Sequence, residues 1–347
     1  MRPVSALLLA IAGSLLASPA LAADPAPVYP KFTPASLIFA DYRGAFSGPQ
    51  SFNVTRAYLT LRGELDPTWS SVVTLNAAPL AYLGSVGATT PAREAHEEVL
   101  QLAYLQAANW VPHTTLQLGL ITTPWVEYEY AYWRYRMLGT VGVEGGMGNT
   151  LGLAGATGYL PLWDHGLKAT YSLGPVTIAG AVLNGEGFRA GEGDGQKSFQ
   201  GRIAYQPWPF LDLAVTGHRG NPSTAQQADR VGAMVTYHAA PLNAGAEAIM
   251  TTDVSNAGAN VGGRVLSGWG VYELATPWLP VQLIGRVNRI EANVDVPTAN
   301  RLEVLAGIGC QPIKGVDLVL DDQNVTGSTA TAAVDSNTLA LHTAFAF

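Results

Sequence analysis

The chain has 347 residues, 13% of them charged and 48% hydrophobic, with 38 glycines and 22 prolines. Its formal net charge of −7 argues against a nucleic-acid ligand, because phosphate-backbone binders carry an excess of Lys and Arg. A single cysteine, Cys310, excludes an internal disulfide, and its place near a strand end suits a small apolar filler.

The N-terminus reads as a secretory leader. Arg2 is a short basic region, Val4 to Leu16 is almost wholly apolar, and Ala20-Leu21-Ala22 has the small-x-small form of a cleavage site. Residues 1–22 are therefore expected to be removed, and 23–34 to form a short periplasmic segment. The remaining 325 residues carry 18 basic and 26 acidic side chains. They contain no apolar run of about 18 residues, so no spanning helix is expected.

From residue 35 onward the pattern has period two. In Arg56–Glu64, Ala57, Leu59, Leu61 and Gly63 alternate with Arg56, Tyr58, Thr60, Arg62 and Glu64. In Phe199–Gln206, Phe199, Gly201, Ile203 and Tyr205 alternate with Gln200, Arg202 and Gln206. Leu211, Leu213 and Val215 oppose Asp212, Ala214 and Thr216. Leu302, Val304, Ala306 and Ile308 oppose Arg301, Glu303 and Gln311. Val316, Leu318 and Leu320 oppose Asp317, Asp321 and Gln323. A packed core needs both faces apolar toward a neighbour; here the second face is polar and suits water. The chain ends Thr343-Ala344-Phe345-Ala346-Phe347, an alternating strand closed by an aromatic residue. Leu37–Arg43 and Arg264–Leu274 alternate less cleanly.

Punctuation supplies the count. Short turns are expected at Asp66-Pro67-Thr68, Asn109–His113, Gly174-Pro175, Pro207–Phe210, Ala239–Leu242, Ala275–Pro280 and Gln311–Lys314. Longer loops begin near Gly44, Ala78, Thr123, Gly185, Gly220, Asp253, Glu291 and Val325. Fifteen connections join sixteen strands, with short turns on one side and long loops on the other. The expected fold is all-β: a transmembrane antiparallel β-barrel of 16 strands over residues 35–347, in the lipid of a bacterial outer membrane. Eighteen strands are the alternative, should Thr150–Leu160 form two more. Trp69, Trp110, Trp208 and Trp278 lie beside short turns, where an interfacial girdle belongs.

One loop, residues 123–163, is far longer than the others, and segments of that length are generally functional. It opens with Trp125, Glu127, Tyr128, Glu129, Tyr130, Trp133, Arg134, Tyr135 and Arg136. So many aromatics do not suit a solvated tip, so the loop is expected to fold inward and narrow the lumen. Glu127 and Glu129 would then face Arg56, Arg62, Arg202 and Arg286 across a constriction, with Arg134 and Arg136 joining the basic row. Opposed charge rows focus a transverse field that favours water and dipolar solutes. The bland alternative is that these charges tie loop to wall. The aromatics Trp125, Tyr128, Tyr130, Trp133 and Tyr135 are read as loop packing rather than as a sugar track.

Pro124-Trp125, Trp133-x-Tyr135-Arg136, Asn184-Gly185-Glu186-Gly187-Phe188 and the strand Arg56-Ala57-x-Leu59-x-Leu61-x-Gly63 resemble bacterial outer-membrane porins related to the phosphate-selective porins O and P. The likeness runs from about Phe52 to the C-terminus. It implies sixteen strands, an inward constriction loop and a homotrimer that passes small hydrophilic solutes or ions. Selective members line their pores with many Lys and Arg, whereas only Lys31, Lys168, Lys197 and Lys314 occur here, so phosphate specificity does not carry over. No enzymatic role, cofactor or metal is expected. His96, His113, His165, His218, His238 and His342 lack zinc-ligand spacing, and Gly142–Gly148 lacks the Lys of a phosphate loop. The rival function is a barrel protease or lipase, for which His218 with Asp212 is the only pairing the sequence offers, and those two lie too far apart along a strand to touch.

Overall fold

A computed structural model describes residues 28–45, 50–79, 96–139, 160–188, 192–193, 195–223, 226–254, 260–296, 300–327 and 335–347. The leader and most of Thr150–Leu160 lie outside the described residues. Sixteen strands follow in order: β1 Lys31–Ala45, β2 Gln50–Glu64, β3 Trp69–Pro79, β4 His96–Ala108, β5 Thr114–Thr122, β6 Trp163–Leu173, β7 Val176–Leu183 and β8 Ser198–Trp208. The second half comprises β9 Leu211–Ser223, β10 Gln226–Ala239, β11 Leu242–Val254, β12 Asn260–Leu274, β13 Val281–Glu291, β14 Asn300–Ile313, β15 Val316–Gly327 and β16 Ser336–Ala346.

Each strand pairs antiparallel with its sequence neighbours, and β1 pairs with β16, so the sheet closes into a barrel. Closure leaves no edge of unpaired backbone groups, which is what an all-sheet membrane span requires. The seam is sealed at its end by Ser36 and Phe347, whose N–H and C=O groups exchange hydrogen bonds of 2.7 and 3.1 Å. The terminal aromatic thus completes the ladder.

The alternation decides the faces. Leu59, Leu61, Phe199, Ile203, Leu213, Val215, Leu302, Val304, Ile308 and Leu320 are all exposed on the outside. Arg56, Gln200, Arg202, Asp212, Arg301, Glu303, Asp321 and Gln323 are buried on the inside. The less regular stretches, Leu37–Arg43 and Arg264–Leu274, are strand too, within β1 and β12. At the short-turn end Trp69 packs on Trp110 at 5.8 Å and Trp208 stacks on Phe210 at 6.2 Å.

Three boundaries differ from expectation. β1 begins at Lys31, ahead of residue 35, because Lys31–Pro34 pair with Leu61–Glu64. Gln311 is exposed at the β14–β15 turn rather than inside, since the register shifts between Cys310 and Ile313. Strands run on through Gly44, Gly220 and Asp253, leaving only 46–49, 224–225 and 255–259 between them. Beyond the apolar band both faces of a hairpin can be wet, so polar residues stay in the strands, and Pro222 falls where the β9–β10 register shifts.

Candidate functional site

The long loop turns inward at Thr123. The Thr123 hydroxyl donates to the Pro161 carbonyl at 2.7 Å, and its N–H donates to the Leu162 carbonyl, clamping the loop's two ends together. A helix follows, α1 Pro124–Tyr132, where the sequence predicts an inward-packed loop without a helix. Pro124 at the first position presets the helical φ and sacrifices an N–H that has no partner anyway. Trp125, Tyr128, Glu129 and Tyr132, spaced three and four apart, make one face and turn to the barrel wall; Glu127, Tyr130 and Ala131 keep partial exposure. A single 3-10 turn at Arg136–Leu138 completes the described part.

The wall face docks through polar contacts. Gln200 of β8 accepts from the Trp125 backbone N–H at 3.0 Å, and the Arg202 guanidinium lies 4.6 Å from the Tyr128 ring. The Tyr132 ring lies 5.7 Å from that of His238 of β10, whose Nε2 is 2.5 Å from Asp212 of β9; Asp212 also accepts from Gln206. Trp133, 2% exposed, covers Arg286 of β13 at 4.8 Å and meets Trp269 of β12 at 5.9 Å. Beneath it Arg286 donates to Asn288, Asn288 donates to Glu303, and Glu303 pairs with Arg301 at 2.7 Å. Gln323 of β15 donates to the Leu138 carbonyl at 2.9 Å, and Arg136 donates to the Tyr58 hydroxyl of β2 at 3.2 Å while stacking on Tyr130 at 4.0 Å. Burial pushes the Tyr128 phenol up to about 12, so it remains a neutral hydroxyl against the wall.

The two loop carboxylates part company. Glu129 is 3% exposed and sits behind the helix against Glu247 of β11 and Arg286. Glu127 keeps 29% of its side chain exposed and pairs with Lys168 of β6 at 2.9 Å. Among the expected basic groups, Arg202 and Arg286 are covered by the loop, and Arg56 is buried on Tyr58 at 2.9 Å. Arg62 and Arg136 are half-exposed, and Arg134 is exposed with a 2.6 Å bond to the Tyr135 hydroxyl. Tyr104 on β4 lies within the fields of both Arg62 and Glu127. The structure therefore does not bring Glu129, Arg202 and Arg286 to face one another across open space. The aromatics explain why: with Trp125, Tyr128 and Trp133 buried, the charges sharing their face go to the wall as well.

The loop's anchors fall on β6, β8 to β13, β15 and β2. The inner faces of β3 to β5 stand opposite, with Thr74, Gln106 and Gln117 among their polar residues. Three groups in this arrangement escaped the sequence reading. Asp212 pairs with His238, not His218; the signal was parity, because Asp212 is opposite Thr236, and residue 238 lies on the same face. Glu247 and Lys168 were also missed as loop partners. His342 is buried between Asp41 and Asp321 at 3.7 and 3.1 Å. Only the closure of β1 onto β16 brings Asp41 there.

No family model and no curated protein matches the chain. Solved structures do. An anion-selective porin from Comamonas acidovorans superposes with a TM-score of 0.66 at 12% identity, covering 91% of this chain and 99% of that one. Its fold is the porin barrel. OmpF of Salmonella typhi, in complex with daunomycin, gives 0.64 at 10% identity over 92% and 98% of the two chains. The outer-membrane channel DcaP of Acinetobacter baumannii gives 0.59 at 11% identity over 91% and 97%. At such identities the porin likeness speaks for the barrel alone, not for a solute.

Proposed function

We propose that this chain is an outer-membrane porin through which small hydrophilic solutes or ions diffuse passively. The observation that carries it is the closed sixteen-stranded cylinder with leucines and valines outside and charged residues inside. In water the outer face would be exposed at high cost; in lipid it is at home, and the polar inner face then encloses water. The docked loop narrows that lumen from one side. The lane for solutes lies between α1 and β2 to β5, bordered by Glu127, Arg62, Tyr104 and Arg136, while Arg134 lies toward Glu273 of β12 and Asp317 of β15. Glu129, Arg202 and Arg286 serve instead as anchors that hold the loop to the wall, with Trp125, Tyr128 and Trp133 as its packing. The relation to the phosphate-selective porins and the homotrimer remain part of this proposal, supported by sequence motifs and by the porin neighbours, one of which, OmpT of Vibrio cholerae, is described in a trimer form.

Reconstitution in a planar bilayer tests the reading: stepwise ohmic conductance is expected, and its absence from a correctly folded, heat-modifiable preparation overturns it.

A further inference from the structure

The inner wall holds one carboxylate with a single partner. The Asp321 side chain of β15 is fully buried. Among the described residues its carboxylate accepts no hydrogen bond, and its one ionic contact is His342 Nε2 of β16 at 3.1 Å. A buried carboxylate is costly without a donor and takes any donor within reach.

A second donor stands close. Gln323 lies two residues further along β15 on the same face, and its Nε2 is 3.5 Å from His342 Nε2. That amide donates instead to the Leu138 carbonyl at 2.9 Å, which holds the 3-10 turn of the loop to the wall. This barrel makes the competing pairing elsewhere. On β10 Gln227 donates to Asp229, again two residues away on one face, at 2.6 Å. The same exchange is open to Gln323 and Asp321, and His342 stands in its way. His342 is directly opposite Val319 and reaches Asp321 on the diagonal, past the methyl group of Ala340. Asp41 of β1 faces the other ring nitrogen, Nδ1, at 3.7 Å. Asp41 is itself fixed by Arg43 at 2.6 Å and by Asn53 at 2.8 Å.

We propose that His342 is a positioning residue of the channel: by engaging Asp321 it leaves the Gln323 amide to the loop, and so holds residues 136–138 against the wall. The effect reaches the lane. Arg136, two residues before Leu138, donates to the Tyr58 hydroxyl at the lane's border at 3.2 Å. Without His342, Asp321 draws the Gln323 amide to itself, the Leu138 carbonyl loses its donor, and the turn lifts toward the lumen. This inference rests on the reading of the loop as the constriction, but its test needs no conduction.

Thiol labelling of the folded full chain in detergent is that test. Met137 is 5% exposed beside Leu138. In a Cys310→Ala background, Met137→Cys reports through a water-soluble methanethiosulfonate how often the turn lifts. His342→Ala should speed labelling about tenfold, the scale of one hydrogen bond to a buried carbonyl. Adding Asp321→Ala should return the rate to within about twofold of the parent, because the competitor is gone. A residue that merely fills space would behave oppositely, since a second truncation would add to the first. His342→Gln, which keeps a donor for Asp321, should fall between. Parent-rate labelling in His342→Ala, or a double variant labelled as fast as the single one, overturns the proposal. If His342→Ala does not assemble, adding Asp321→Ala must restore heat-modifiable mobility; failure of both to assemble overturns it too. Rates that move as expected in a chain that never conducts overturn the porin reading alone.

Discussion

Trp133 is the side chain on which the loop's position depends most. It is 2% exposed, covers the Arg286 guanidinium, meets Trp269 and Tyr135, and donates its indole N–H to the Gly139 carbonyl at 3.2 Å. A buried Trp removes roughly 200 Å² from water, or about 5 kcal/mol at 25 cal/mol per Å². Stacking over a guanidinium adds about 1 kcal/mol. In Trp133→Ala the vacated space can be flooded from the lumen, so the net loss should fall to about 3–4 kcal/mol. That lowers the ratio of docked to undocked loop by two to three powers of ten. The barrel ladder is untouched, because Trp133 belongs to no strand. Single-channel recording should therefore show larger open-channel noise and a shifted conductance step, while the temperature at which heat-modifiable mobility is lost stays within a few degrees. Wild-type noise and conductance in a folded variant would show that the loop is held by something other than this contact.

Three further outcomes follow from the same geometry. Leu61→Arg puts a charge on the lipid face and should cost about 2–4 kcal/mol, lowering the yield of folded barrel in vesicles, whereas Thr60→Arg, facing inward, should assemble normally. Gln323→Leu removes the donor to the buried Leu138 carbonyl, a loss of about 1–3 kcal/mol, and should raise protease nicking of the loop without altering assembly. Burial raises the Tyr128 phenol from 10.0 to about 12, so the docked state holds its proton more tightly than the undocked one. Docking is then fully stable below pH 10 and weakens between 10 and 12. Conductance should drift over that window in the wild type, and Tyr128→Phe should flatten the drift.

Fold was largely legible in the residues. Period-two alternation gives one oily and one wet face, which a soluble sandwich also has; the terminal Phe347 and the alternation of short turns with long loops select a closed wall between lipid and water instead. Proline-marked turns then supply the strand count. Arg56–Glu64, Phe199–Gln206 and the terminal Phe347 each carried this signal locally, because the period is a property of neighbouring residues. The inward course of the long loop was visible in its aromatic density. What each charge does was not. Glu127 and Glu129 are two residues apart with the same chemistry, yet one meets Lys168 beside the lumen and the other lies buried against Glu247 and Arg286. That difference comes from an unforeseen helix, whose rotation of about 100° per residue sends alternate carboxylates in opposite directions. Asp212 meets His238, and Asp321 meets His342, across single hairpins, but Asp41 reaches His342, 301 positions away, only once β1 has closed onto β16. Sequence by itself determined that there is a wall and which side of it is wet. Tertiary structure alone decided which charges meet water, because that depends on how a loop lies against a surface assembled from strands distant in the chain.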